Sequence, residues 1–244
     1  MLRFTKPKMM TASLQVLLSG AGGALGGSVL DALLHQGHQV TALVHRSSSK
    51  EALGSLAGAR GSRLRLYEID LSQETQVEAL ASAVPLPDAL VHLAGGFRPH
   101  RILHEGTLQD YDYLMDLNLK AAYLLLRTLL EPMKQRGSGS IVAIGAKPAV
   151  HPGKENALYG ASKAALHSLI LHAAEEGRAH HVRANLIVPQ ILRTRANESM
   201  AGKPGESDRW TDPADIAKTI CWLISPQAAG VTGALVPMYG RLPG

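Results

Sequence analysis

The stretch SGAGGALGG at residues 19–27 decides the fold, because it places five glycines in nine residues between two regular patterns. The apolar run LQVLLS before it is typical of a buried strand. After it, Leu30, Leu33 and Leu34 recur at helical spacing, and QVTALV at residues 39–44 is the next strand-like run. Strand, glycine turn, helix and strand predict a right-handed βαβ unit.

The glycine turn can be aligned in two registers, through Gly20, Gly23 and Gly26 or through Gly20, Ala24 and Gly26. In either register, Gly20 permits a tight turn, and the backbone from Gly23 to Leu25 can approach a pyrophosphate. Gly26 lets the helix pack closely on the strand, and the helix N-terminus presents unpaired N–H groups to an anion. The turn therefore favours a dinucleotide site over the alternative, a flexible strand-to-helix connection.

The end of the second strand indicates which dinucleotide binds. Folds that prefer NAD(H) place an acidic residue about 20 residues after the glycines to hold the ribose diol. The corresponding stretch LVHRSSSK, at residues 43–50, contains no acid. Arg46 can offer its planar guanidinium to a 2′-phosphate, with further donors from His45 and from the serines that begin at Ser47. The sequence therefore predicts NADP(H) in preference to NAD(H), and the alternative is an ordinary polar turn.

Apolar runs and helical patterns continue to alternate along the chain. Strand-like runs occupy residues 63–69, 89–96, 140–145, 182–188 and 234–238, and helical patterns occupy residues 75–82, 108–136, 156–177 and 213–224. This alternation predicts an α/β fold, a single-domain doubly wound parallel sheet of the Rossmann type with helices on both faces. Residues 13–244 are expected to form that domain, and residues 1–12 an unstructured N-terminal extension.

Composition excludes several other classes of protein. The chain has 244 residues, of which 45% are hydrophobic and 18% charged, as expected for a compact globular protein. The net charge of +5 suggests nucleic acid, but the basic residues are dispersed and aromatic residues are only 4%, too few for a base-stacking platform. The single cysteine, Cys221, excludes an internal disulfide and a cysteine-rich zinc site. The eleven histidines include no HExxH motif, so no metal is expected.

Membrane and export signals are also missing from the sequence. No apolar run reaches the roughly 18 residues that span a bilayer. The N-terminus MLRFTKPKMMTAS is basic but has no apolar segment of the kind found in signal peptides. We therefore expect a cytoplasmic protein that acts on a small molecule and has neither membrane nor nucleic acid as a partner.

A family resemblance is carried by YGASKAALHSL, which contains Tyr159 and Lys163 in a YxxxK arrangement, and by MDLNLKAAYLLL, which contains Asn118. With the glycine turn, these motifs resemble the short-chain dehydrogenase/reductase family over residues 14–240. The resemblance implies a homodimer or homotetramer. It also implies coenzyme contacts from Asp70 and Leu71 at the adenine, from Ala94, Gly95 and Gly96 after the fourth strand, from Lys163 at the ribose, and from Pro189 and Thr194 at the nicotinamide.

Tyr159 and Lys163 are four residues apart, so they share one face of a helix. A tyrosine that exchanges protons near neutral pH needs its pKa lowered by about three units, roughly 4 kcal/mol of preference for phenolate. An ammonium group about 4 Å away supplies about that much at an effective dielectric constant of about 20. We therefore expect Lys163 to lower the pKa of Tyr159, with burial of the phenol opposing it. The resemblance implies that Tyr159 donates the proton and that Asn118 holds a water in the relay.

One residue of the family pattern is missing. The resemblance implies a serine 13 residues before Tyr159 that would donate a hydrogen bond to the substrate oxygen, but Ala146 stands there. Losing such a donor typically costs about 100- to 1,000-fold in rate. The dihydropteridine reductases of the same family also have alanine at this point and reduce an activated ring imine. The chain is similar to them there and at Gln190, which follows Pro189 where many relatives have glycine.

Three functions remain open at this point. The first is an NADP(H)-dependent oxidoreductase that transfers hydride to a ring imine or an activated carbonyl. In it, Tyr159 is the proton donor, and Ala146, Phe97 and Gln190 line the substrate. The second is an ordinary keto reductase of a small carbonyl substrate, in which water or Lys147 replaces the missing donor. The third is a non-catalytic NADP-sensing protein.

Overall fold

The computed structural model describes residues 13–98, 102–199 and 201–242. Its strands are β1 Gln15–Ser19, β2 Gln39–Val44, β3 Leu64–Glu68, β4 Ala89–His92, β5 Gly139–Ile144, β6 Val182–Pro189 and β7 Leu235–Met238. They form one parallel seven-stranded sheet in the order β3-β2-β1-β4-β5-β6-β7. The predicted single-domain doubly wound fold is confirmed, while the prediction for residues 1–12 lies outside the described residues.

Helices cover both faces of the sheet. They are α1 Gly26–His35, α2 Ser47–Arg60, α3 Glu74–Ala83, α4 Leu108–Met115, α5 Ala121–Arg136, α6 Ala157–Arg178, α7 Arg195–Glu198 and α8 Pro213–Ile224. Side chains alternate along β1, so that Leu17 packs in the layer of α3, α5 and α6, and Val16 and Leu18 pack in the layer of α1 and α8. None of the helices in the described part of the chain is long and apolar enough to cross a membrane.

The segment after Arg46 is a helix, an element that the sequence analysis did not predict. Arg46 is the N-cap residue of α2, and Ser47 is its first residue. The sequence of this helix, SSSKEALGSLAGAR, is rich in serine and glycine, which have weak preference for helix interiors. Its few leucines do not form an apolar stripe, so hydrophobic periodicity does not reveal the helix.

The predicted helix over residues 108–136 is present, but it contains a π-helical turn at Asp116–Lys120 between α4 and α5. A π turn inserts an extra residue into a helix and rotates the residues that follow it. Asn118 lies in this turn and is completely buried. The interruption therefore places a polar side chain in the interior between two segments of apolar packing.

The glycine turn lies where strand order reverses, since β1 pairs with both β2 and β4. Gly20 has a φ of +73°, and a Cβ atom on it would lie 2.6 Å from the backbone nitrogen of Ala94. A Cβ atom on Gly26 would overlap the carbonyl oxygen of Ala21. Both glycines are therefore required by close approach of backbone to backbone.

We expect Gly26→Ala to lower the free energy of unfolding by roughly 1–3 kcal/mol, because the added methyl group meets rigid backbone. Gly27→Ala is the matched control, since a Cβ atom there has nothing within 4 Å. Its better helix propensity should raise stability by up to about 1 kcal/mol. Urea unfolding followed by circular dichroism measures both variants, and equal stabilities would contradict the close packing at Gly26.

Candidate active site

A cavity of about 520 Å³ opens at the carboxyl ends of β1, β2 and β4 and beside the residues that follow β3. Its volume suits a nucleotide-sized ligand. The predicted coenzyme residues that line it are Gly20, Gly23, His45, Arg46, Asp70, Leu71, Ala94 and Gly95. Among the described residues, the lining does not include the predicted residues Ala24, Leu25, Gly26, Ser47, Gly96, Lys163, Pro189 and Thr194.

Two backbone hydrogen bonds shape the glycine turn. The N–H of Gly23 donates to the carbonyl of Gly20, and the N–H of Gly26 donates to the carbonyl of Gly23, each at 3.0 Å. A Cβ atom on Gly23 would lie only 3.2 Å from the oxygen of Gly20. Of the two registers, the one through Gly23 therefore matches the geometry.

The N-terminus of α1 is suited to an anion. Its N-cap residue is Leu25, and within the described ranges no side chain caps the helix there. The first N–H groups of a helix carry partial positive charge and attract phosphate when no side chain satisfies them. The turn from Gly20 to Gly26 thus has the geometry and the charge to hold a pyrophosphate.

The far end of the cavity carries both basic and acidic groups. Arg46 is exposed at the N-terminus of α2. The hydroxyl of Ser47 donates to Oε1 of Glu68 at 2.7 Å. Glu68 ends β3 and lies opposite Val44 in the sheet register. The sequence analysis missed Glu68, because an acid at the end of the third strand is brought beside the second strand only by strand pairing.

Asp70, the predicted adenine contact, has a pKa below its ordinary value. Burial alone would raise this pKa, but Ser72 donates its hydroxyl at 2.7 Å and its backbone N–H at 2.9 Å to the carboxylate, and these bonds outweigh burial. The positive charge of His45 lowers the pKa of Asp70 further. Asp70 is therefore an anion at neutral pH, held in place beside the cavity.

Lys163 extends from α6 into the interior and is only 4% exposed. Its Nζ donates to the carbonyl oxygen of Ile144, at the end of β5, at 2.9 Å. A Cβ atom on Gly95 would lie 3.0 Å from the same Nζ atom. Burial lowers the pKa of Lys163 to about 8, so the ammonium form still predominates at neutral pH.

Tyr159 lies one turn before Lys163 on α6, and its ring meets Phe97 edge to face with centroids 5.1 Å apart. Burial raises the pKa of Tyr159 to about 12. This reverses the expectation that Lys163 would lower that pKa. The physical reason is that loss of water around the phenol outweighs the lysine, whose ammonium is directed to the Ile144 carbonyl. Tyr159 is therefore a neutral phenol, which can donate a proton at neutral pH.

Asn118 connects the loop after β4 to α6. Its Oδ1 accepts from the N–H of Gly96 at 2.8 Å, and its Nδ2 donates to the Gly96 carbonyl and to the Ser162 hydroxyl, both at 3.0 Å. Ser162, which the sequence analysis missed, in turn donates to the carbonyl of Tyr159 at 2.9 Å. The Asn118 side chain thus holds α6 against the loop after β4, and its role with a relay water stays a prediction.

Two buried histidines flank Lys163, and the sequence analysis singled out neither. Nδ1 of His92 lies 2.8 Å from the hydroxyl of Ser19. Nε2 of His92 has no hydrogen-bond partner among the described residues. Nε2 of His167 accepts the backbone N–H of Ala146 at 3.3 Å. Burial, assisted by the charge of Lys163, lowers the pKa of His92 to about 3 and that of His167 to about 4.

The region around Ala146 carries the predicted substrate residues. Ala146 is 4% exposed. Next to it, Nζ of Lys147 donates to Oε1 of Gln190 at 3.2 Å and lies 5.0 Å from the centre of the Tyr239 ring. These groups follow β5, β6 and β7, so three strand ends meet on the substrate side of the site.

Two further predicted residues, Pro189 and Thr194, lie after the sixth strand. Pro189 ends β6, and Thr194 is the N-cap residue of α7, where its hydroxyl oxygen accepts the N–H of Asn197 at 3.3 Å. Residues 13–98, 102–199 and 201–242 contain no group of three His, Cys, Asp or Glu side chains placed to hold a metal ion. The roles of the individual site residues stay predictions.

Comparison with known proteins gives consistent matches. A family model described as enoyl-(acyl carrier protein) reductase matches residues 20–240. The chain is 30% identical to the vibriobactin-specific 2,3-dihydro-2,3-dihydroxybenzoate dehydrogenase of Vibrio cholerae, over 92% of this chain and 94% of that protein. It is 26% identical to an NADP-dependent 3-hydroxy acid dehydrogenase of Salmonella typhi, over 85% and 88%. The crystal structure of an oxidoreductase of the short-chain dehydrogenase/reductase family from Burkholderia thailandensis matches with a TM-score of 0.84 and 28% identity, over 96% and 94%.

The buried histidines predict that the fold is sensitive to acid. In the unfolded chain histidine takes up a proton near pH 6.5, whereas His92 stays neutral in the folded protein down to about pH 3. Because the unfolded state binds more protons, stability is complete above about pH 6.5 and falls as the pH drops towards 3. We expect His92→Asn to reduce this slope by up to about 1.4 kcal/mol per pH unit.

Urea unfolding between pH 7 and pH 4 measures the slope. His172→Asn is the control, because His172 is exposed on α6 and bonded only locally to Ser168. The same pH dependence in wild type and both variants would contradict a neutral, buried His92.

Proposed function

The chain belongs to the short-chain dehydrogenase/reductase family and is an oxidoreductase that uses a nicotinamide coenzyme. On that premise, we propose that it transfers hydride from NADPH to a ring imine or an activated carbonyl, with Tyr159 as the proton donor. Two observations carry the proposal: Tyr159 on α6 is a neutral, half-buried phenol, and Ala146, whose backbone N–H is bonded to His167 of the same helix, has no hydroxyl to offer a carbonyl oxygen.

The protein's part in the reaction is to supply a proton and to hold the reactants. The coenzyme, when bound, supplies the hydride, that is, two electrons and a proton, to the electrophilic carbon. Tyr159 Oη gives its proton to the adjacent nitrogen or oxygen, so that the C=N or C=O bond becomes a single bond and the atoms balance. The mechanism requires the ammonium of Lys163, one turn further along the helix and bonded to the Ile144 carbonyl in this structure, to stabilise the resulting phenolate.

The missing serine favours an imine or an activated carbonyl. A simple ketone needs a donor to stabilise the developing oxyanion, and loss of that donor costs about 100- to 1,000-fold in rate. An imine nitrogen is more basic than a carbonyl oxygen and can be protonated as the hydride arrives, so Tyr159 alone can complete the reaction. Phe97, which is 47% exposed and packs against Tyr159, supplies an apolar wall for a flat ring.

The preference for NADPH rests on the charge at the start of α2. Arg46 lines the cavity and is exposed, and His45 lines it beside Arg46. A guanidinium group can bind a 2′-phosphate through two parallel hydrogen bonds. The similarity to an NADP-dependent dehydrogenase of Salmonella typhi supports the same preference.

An ordinary keto reductase is the second candidate, and Lys147 is the observation that favours it. The ammonium of Lys147 is held next to Ala146 by Gln190 and Tyr239, at the carboxyl ends of the strands. A cation at this place can stabilise an oxyanion in place of the serine. In that case simple ketones would be reduced well, and Lys147→Met would abolish their reduction.

The proposed mechanism predicts that Tyr159→Phe lowers kcat by at least about 100-fold, because the proton donor is lost while the ring packing is kept. The assay follows NADPH and NADH oxidation with quinonoid dihydropterin, quinones and keto esters, and we expect fastest turnover of the dihydropterin with NADPH. Tyr111→Phe, on an exposed position of α4, is the control and should keep full activity. Full activity of Tyr159→Phe would exclude Tyr159 as the donor.

A second prediction concerns the missing serine. Ala146→Ser should raise kcat/KM for a simple keto ester by roughly 10- to 1,000-fold, because it restores an oxyanion donor. Turnover of quinonoid dihydropterin should change by less than about threefold, since its reduction does not depend on that donor. An equal effect on both substrates would contradict the assignment of Ala146 to the carbonyl position.

A further inference from the structure

Glu68 is an exposed acid outside the cavity lining, but it contacts the segment that is expected to bind a 2′-phosphate. It is the last residue of β3 and lies opposite Val44, the last residue of β2. Its Oε1 accepts the hydroxyl of Ser47 at 2.7 Å. Ser47 is the first residue of α2 and directly follows Arg46, which lines the cavity. The carboxylate therefore lies at the N-terminus of α2, bonded to the residue that follows Arg46 in the chain.

The hydrogen bond between Glu68 and Ser47 competes with the binding of a 2′-phosphate at the start of α2. The N-terminus of a helix attracts negative charge, and within the described residues no side chain caps α2 at Arg46. Ser47 lies outside the cavity lining but directly follows Arg46, so a 2′-phosphate held by Arg46 would compete for the same N-terminus and for the hydroxyl of Ser47. The carboxylate of Glu68 already holds that hydroxyl, and its negative charge repels a phosphate dianion.

We propose that Glu68 is a coenzyme-specificity residue: it competes with the 2′-phosphate for the Ser47 hydroxyl and so weakens the selection for NADPH that Arg46 provides. The inference rests on the proposed preference for NADPH, but it assigns a separate residue with an opposite effect. Arg46 raises the affinity for a 2′-phosphate, and Glu68 lowers it. The coenzyme preference of the protein is then a balance between one cation and one anion.

A structural role for Glu68 makes a different prediction. If the carboxylate only stabilised the start of α2, removing it would lower the stability of the helix and weaken all adenosine ligands alike. If it competes with the phosphate, removing it strengthens only those ligands that carry a 2′-phosphate. The ratio of two affinities therefore separates the two roles.

The experiment compares adenosine 2′,5′-bisphosphate with 5′-AMP, which differ only in the 2′-phosphate, by calorimetry on the full chain. We expect Glu68→Gln to raise the affinity for the bisphosphate roughly 10-fold, the value of one hydrogen bond to a charged group. The affinity for 5′-AMP should change by less than about twofold. Glu175→Gln is the control for the loss of one negative charge, because Glu175 is exposed on α6 and pairs with Arg178 three residues further along the helix.

Ser47→Ala tests the shared hydroxyl. In that background, Glu68→Gln should raise the affinity for the bisphosphate by clearly less than 10-fold, because there is no hydroxyl left to release. An unchanged ratio of the two affinities in Glu68→Gln would overturn the inference. An equal rise of that ratio in Glu175→Gln would also overturn it, and so would a fall in the affinities for both ligands in Glu68→Gln.

The coenzyme preference itself is tested separately, by the ratio of the affinity for the bisphosphate to the affinity for 5′-AMP in the wild-type protein. Arg46→Leu should lower this ratio. A wild-type protein that binds 5′-AMP as tightly as the bisphosphate would contradict the preference for NADPH. A rise of the ratio in Glu68→Gln would still support the role of Glu68 in that case.

Discussion

The site depends on keeping one ammonium group, that of Lys163, in the interior of the protein. An unpaired buried charge costs several kcal/mol, so the surroundings must hydrogen-bond it and must not repel it. The carbonyl oxygen of Ile144 accepts a hydrogen bond from it, and Gly95 leaves the space that a Cβ atom would fill. His92 and His167 remain neutral beside it, because burial holds their pKa values far below the ordinary value. The ends of β4 and β5 and one face of α6 are therefore fixed relative to each other by the requirements of a single charge.

Much of the fold could be predicted from the sequence because its elements have strong patterns. The strands are short apolar runs, α1 has leucines at helical spacing, and the glycine turn is required by backbone contacts that any side chain would break. The elements that were missed have weak or misleading patterns. Helix α2 is rich in serine and glycine, and the π turn at Asp116–Lys120 has no periodic signature. Glu68 and the buried histidines act through strand pairing and burial, which a linear pattern does not contain.

The substrate side of the site combines features that the family pattern does not predict together. The N–H of Ala146 is bonded to His167, and the ammonium of Lys147 is bonded to Gln190. Ala146 therefore offers no free hydrogen-bond donor to a carbonyl oxygen, because its side chain is a methyl group and its backbone N–H is already bonded. Tyr159 keeps its proton and can donate it. Sequence similarity at about 30% identity establishes the family and the coenzyme chemistry. Because a fold does not by itself determine the substrate, we expect the choice of substrate to depend on these few contacts.

The π turn at Asp116–Lys120 also changes the direction of the α5 side chains relative to that of Asn118. In an uninterrupted α-helix each residue turns by about 100°, so the direction of Asn118 would fix the direction of every residue in α5. The extra residue changes the phase between the two segments. Leu124 and Leu125 can then face the sheet while Asn118 faces the loop after β4. One continuous helix can thus direct a polar side chain to the loop after β4 and an apolar stripe to the sheet, two directions that the same sequence in an unbroken α-helix would not combine.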